Sequence, residues 1–234
     1  MISPKKRLLT AIEGGIPDRL PVTTHHVMPY FLNKYLNGID SDEFFEYFSL
    51  DPIVWTAPHK PWESEDNWSI SCEEVCGCSY GTIRYTFTTP GGTLSMVLQS
   101  NGYTSWVVEH LVKNKSDIDI IANYALHPRC DVEKVNETAS EYGDHALIRG
   151  HICGFDVFGQ PGCWQDAACL FGIEGLIIQT YDDPSWAHQF LKILQQRKLS
   201  FVRSLRGAQY DILELGGGDA STTVISPKIF NEFV

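Results

Sequence analysis

The stretch Gly150-His151-Ile152-Cys153-Gly154-Phe155 sets two soft metal donors one residue apart. Residues two apart on a strand point to the same side, so His151 and Cys153 could share a metal ion. A structural zinc takes four donors, and a catalytic zinc takes three plus an open position. No third donor lies in the same motif. His25 and His26 are the nearest in kind, a consecutive pair after a short apolar run. On a strand, one of them would face inward and the other away. The simpler reading of the 150–155 stretch is a strand with a hydrogen-bonded histidine and a buried cysteine acting as a small hydrophobe.

Glu214 and Asp219 flank Gly216-Gly217-Gly218 after another apolar run. Glycines let a backbone come close to a ligand. Asp219 there suits binding or general acid–base work, or else holds its own loop through Ser221 and Thr222. The run lacks the spacing of a dinucleotide-binding turn. Cys72, Cys76 and Cys78 form a cluster without a fourth donor. Asp166, with Cys163 and Cys169, sits on a helical stretch and could line a mouth, although a helix core is the simpler place for the thiols. Trp55, Trp62, Trp68, Trp106, Trp164 and Trp186 could wall a large flat ligand or simply pack.

These residues need a scaffold. Ser3-Pro4 opens an amphipathic helix over 4–14, and Pro17-Asp18-Arg19 leads into a short strand at 20–24. Helices follow at 30–36 and at 41–48, the latter with Ser41 as cap, and then a buried strand at 52–55. Near-alternating β-branched and aromatic residues at 68–75, 82–88 and 93–98, with a turn at Pro90-Gly91-Gly92, read as an inserted antiparallel meander. Helices return at 116–124, capped by Ser116, and at 132–142. A third core strand covers 146–153. Two helices at about 163–181 and a long one from Pro184 to Leu205, capped by Asp183, precede a fourth core strand at 210–215. Ser226-Pro227 opens a last helix. Strands alternating with helices imply a mainly parallel α/β sheet. The last strand would leave an unpaired edge, so a continuation or a partner is expected.

The bulk numbers exclude some partners. A net charge of −11 over 234 residues argues against nucleic acid and anionic membranes. The one basic cluster, Lys5-Lys6-Arg7, reads as a solvated helix face. No run of about 18 apolar residues is present, and the start lacks a signal peptide's apolar region. Seven cysteines, an odd number, fit reduced thiols in a cytoplasm.

Several stretches share an order with one known family. "RLLTAIEGGIPDRLPV" (7–22), "TTPGGTLSMV" (88–97), "KNKSDIDII" (113–121) and "YDILELGGGDASTTVISPKIFNEF" (210–233) resemble segments of the uroporphyrinogen decarboxylase family, which includes cobalamin-dependent methyltransferases. The resemblance implies a (β/α)₈ TIM barrel. Such barrels run to about 250 residues or more, so residues 1–234 read as one incomplete barrel domain with a β insertion near 65–100. The decarboxylase branch holds substrate carboxylates with arginines after its first strand. Here "VTTHHVMPYFLNKYL" (22–36) has none, and "VWTAPHKPW" (54–62) lacks that branch's aspartate.

The resemblance therefore implies an enzyme leaning to corrinoid-dependent methyl transfer. In that branch a His-x-Cys pair and a later cysteine hold zinc, which activates a thiol. The family's pair lies on a strand later than any here, so the match at His151 and Cys153 reads as coincidence of position. On this view Asp219 and His151 are candidate catalytic residues. His25, His26 and Glu214 are candidate substrate contacts, and His151 with Cys153 is the candidate zinc pair. The corrinoid would be a substrate or ride on a partner protein. One alternative is decarboxylation of a tetrapyrrole, a carboxy-lyase of porphyrin metabolism. Another is a non-catalytic fragment or pseudoenzyme that pairs with a second chain to complete the barrel.

Overall fold

The computed structural model describes residues 2–60 and 67–234. Trp62 and residues 65–66 of the expected insertion lie outside the described residues.

Helix α1 (Pro4–Ile12) begins as its sequence dictates. Ser3 Oγ accepts the Lys6 N–H at 3.3 Å, and Pro4 needs no amide partner. Helices α2 (Pro29–Tyr35) and α3 (Ser41–Tyr47) follow. The cap of α3 is Asp40, not Ser41. Asp40 accepts the Glu43 N–H at 2.8 Å and Glu43 accepts the Asp40 N–H at 3.0 Å, a reciprocal pair that a serine one residue later cannot match. After strand β1 (Ile53–Trp55) come β2 (Ser69–Glu74), β3 (Gly81–Thr89), β4 (Gly92–Ser100) and β5 (Ser105–Glu109). Then follow α4 (Asp117–Tyr124), α5 (Val132–Tyr142), β6 (Leu147–His151), α6 (Cys163–Phe171), α7 (Ile173–Asp182), α8 (Pro184–Ser204), β7 (Ile212–Glu214) and α9 (Pro227–Phe233). Asp183 caps α8 as expected, taking the Trp186 N–H at 3.1 Å. Ser116 makes no side-chain cap on α4. The Asp117 carboxylate instead gathers the Lys113 and Asn114 N–H groups at 2.8 and 2.9 Å.

The chain forms two compact units. The first comprises Met1–His59, Cys130–His151 and Leu205–Glu214. Its sheet is parallel, in the order β1-β6-β7, with Trp55 opposite Arg149 and His151 opposite Glu214. The central strand β6 is buried from Leu147 through Gly150, as a strand flanked on both edges must be. The sheet has three strands rather than the expected four. Residues 20–24 form no strand, because the Val22 N–H goes to the Asp51 carboxylate at 2.9 Å instead of to a neighbouring strand. Asp51 is fully buried and is held by Arg7 at 2.6 Å and Arg19 at 2.8 Å. Four bonds to one carboxylate tie the 18–22 segment down without a ladder.

The second unit comprises Lys60–Arg129, Ile152–Ser204 and Leu215–Val234. Its antiparallel sheet runs β2-β3-β4-β5, with a register shift at Val97/Leu98. The fourth strand, β5, lay outside the expected meander. Its run Ser105-Trp106-Val107-Val108 is short and lacks a polar residue between its apolar ones. One face of this sheet supplies Phe87, Leu94 and Met96 to a core shared with Trp164 and Leu170 of α6, Phe190 and Leu194 of α8, and Phe233 of α9. The chain is thus a mixed α/β fold with one parallel and one antiparallel sheet.

Candidate functional site at the strand ends

A charged residue inside a buried strand must bring its partners with it, because an unpaired buried charge is strongly destabilising. Arg149, on β6, is 4% exposed. Its Nη1 donates to the main-chain oxygen of His25 at 2.8 Å. Its Nη2 donates to Glu214 Oε2 and to His25 Nε2. The guanidinium also lies 5.1 Å from the centre of the Trp55 ring, within cation–π range. Trp55 closes β1 and Glu214 closes β7, so three carboxyl-terminal strand ends converge on one arginine. That end of a parallel sheet is where α/β proteins bind ligands.

The exposed side of this cluster is made of rings. His25 Nδ1 lies 3.0 Å from His26 Nδ1, and His25 Nε2 lies 3.6 Å from Glu214 Oε2. The His26 and His151 rings meet Trp55 edge-on at 6.1 and 5.5 Å between centres. His25, His26 and Trp55 line a cavity of about 190 Å³ with Asp42, Phe45 and Tyr142. That is below the roughly 300–1,000 Å³ of drug-sized pockets, so it takes a small molecule or one end of a larger one. The Tyr142 hydroxyl donates to Asp42 at 2.7 Å; that bond and burial push its pKa up to about 12. Burial opposes the charge on Glu214, but Arg149 and His25 together hold its pKa below the ordinary carboxylate value.

His25, His26, Glu214 and His151 are therefore brought together in the first unit. Cys153 and Asp219 belong to the second. Strand β6 ends at His151, so the rule that places alternate residues on one face does not extend to Cys153. Cys153 is buried, and burial pushes its thiol up to about 11. A zinc ligand must be a thiolate. Among the described residues, no three His, Cys, Asp or Glu side chains converge to hold a metal ion. The described residues thus do not fit the zinc that the resemblance implied. Asp219 lies in a short 3₁₀ turn, Gly218–Ala220, and its main-chain oxygen accepts the Trp164 indole N–H at 3.2 Å. Ser221 Oγ pairs with Thr223 Oγ1 at 2.7 Å. Asp166 lines no mouth. It accepts the Phe155 and Gln160 N–H groups and the Lys198 ammonium, which fixes the 153–160 loop. Cys72, Cys76 and Cys78 are exposed.

Sequence reasoning missed Arg149, the hub. Its signal was present: one charge in the apolar run 146–153, which demands a buried counter-charge at a neighbouring strand end.

No protein-family profile matches the sequence, and no curated protein does. Among solved structures, a methyltransferase from Methanosarcina mazei matches over the whole of this chain, with a TM-score of 0.54 and 14% identity. This chain spans 64% of that structure's length. At that identity the likeness is one of fold: the chain has a methyltransferase-like α/β architecture.

Proposed function

We propose that this chain carries the substrate end of a (β/α)₈ barrel of the uroporphyrinogen decarboxylase and cobalamin-dependent methyltransferase superfamily, and that its reaction is methyl transfer involving a corrinoid. One observation carries the choice over decarboxylation. Arg149, the buried arginine at the site, is neutralised by Glu214 within the protein. Anchoring a polyacidic tetrapyrrole requires arginines whose charge is not already matched. The small cavity beside His25 and His26 suits a compact methyl donor or acceptor, and Trp55 offers a flat wall for a larger group above it. The fold likeness to a methyltransferase supports the same reading. His25, His26 and Glu214 bind and orient the small substrate, and His151 braces Trp55. No step is assigned to zinc, because the described donors do not fit it.

The test is a pair of titrations of the whole chain, one with methylcobalamin and one with uroporphyrin, read by tryptophan quenching and visible absorption. Corrinoid binding that weakens at least tenfold in Trp55→Ala is the expected result. Porphyrin binding without corrinoid binding would transfer the assignment to the decarboxylase reading. Binding of neither would leave the non-catalytic reading standing.

A further inference from the structure

The hydrogen bonds around His25 determine where two protons sit. Arginine is only a donor, so the His25 Nε2 that meets Arg149 Nη2 must accept. A neutral imidazole has one donor nitrogen and one acceptor. His25 therefore carries its proton on Nδ1. That nitrogen lies 3.0 Å from His26 Nδ1, which must then accept in its turn. His26 is left with its proton on Nε2. No described residue takes that last N–H, and the ring is exposed along the wall of the 190 Å³ cavity. The chain is rigid at its root. Arg149 grips both the main-chain oxygen and the ring nitrogen of His25, and Glu214 takes another of its N–H groups.

We propose that Glu214, Arg149, His25 and His26 form a directed chain of hydrogen bonds whose open end, the His26 Nε2–H, binds an acceptor oxygen of a small ligand, a carboxylate or carbonyl, in the cavity beside Trp55. Arg149 and His25 are positioning residues, and His26 makes the contact. An ammonium ligand finds no acceptor on His26 in this arrangement. The inference rests on reading this strand end as a substrate site, and it does not require methyl transfer.

The experiment is nitrogen-15 NMR of the histidine-labelled whole chain at slightly alkaline pH. The expected pattern is His25 protonated on Nδ1, the form less favoured by imidazole in water, and His26 protonated on Nε2. Acetate should shift the His26 Nε2 signal and leave the His25 tautomer unchanged. In Arg149→Met, the His25 proton should move to Nε2, facing Glu214. Should Arg149→Met fail to fold, the wild-type tautomers decide the matter. A wild-type His25 protonated on Nε2 overturns the chain, and a His26 signal indifferent to acetate overturns its open end. Failure to bind methylcobalamin with the tautomer pattern intact would sink the methyl-transfer reading and leave this one in place.

Discussion

Two buried cations, Arg149 in the first unit and Lys198 in the second, are solved in opposite ways. The Lys198 ammonium donates to the Cys153 oxygen at 2.8 Å, the Gln160 oxygen at 2.8 Å and Asp166 at 2.9 Å, so all three of its protons end inside the protein. Beside it, Asp156 accepts from Arg197 at 2.9 Å and from the Trp68 indole at 3.1 Å. The Lys198 network closes on itself and fixes a loop. The Arg149 network passes its last hydrogen bond outward through two exposed histidines. A buried charge with every proton consumed serves the fold. A buried charge whose chain ends at the surface orients something that comes from outside.

The comparison breaks hardest at Lys198. Lys198→Met strands the Asp166 carboxylate in the core and should cost about 3–5 kcal/mol of stability, read as a lowered urea midpoint. Arg149→Met should cost less, about 1–3 kcal/mol, because its partner Glu214 keeps one-third of its side chain in water. It should also abolish ligand binding, which Lys198→Met does not touch directly.

Acid sharpens the contrast. Glu214 has a folded pKa below its ordinary value, so its contribution is present above the ordinary carboxylate range and is lost as pH falls through the lowered value. Asp156 behaves the other way. Burial raises its pKa despite Arg197, so its contribution declines as pH rises through the raised value. Urea midpoints followed against pH should lose the first dependence in Arg149→Met and the second in Asp156→Asn. The smallest effect belongs to His26→Ala, which should change stability by no more than about 0.5 kcal/mol, as for a surface residue, yet remove the response to acetate.

Much of the fold was legible. Proline and cap residues marked α1, α8 and α9, and the 132–142 helix matches residue for residue. The strand at 20–24 failed for a reason outside its own sequence: a buried aspartate at position 51 captured its amide. Strand β5 failed because five residues carry too little alternation to stand out. At the site, the histidine pair and Glu214 were legible as residues after apolar runs. Their convergence was not, because it depends on the register that sets β6 between β1 and β7. Arg149 was readable as an anomaly, but its partners lie 124 and 65 residues away in sequence.

Gly150 sits between Arg149 and His151 on β6, and a methyl group there would fall 2.5 Å from the Tyr210 ring. Tyr210 is pinned through its hydroxyl to Cys130 and leads directly into β7, which ends in Glu214. A single added carbon at position 150 would press on the ring that feeds the third strand, and so draw Glu214 away from Arg149. The site can thus be detuned through a residue that never meets a ligand. A survey of variants confined to the cavity wall would overlook the position where drift is least tolerated.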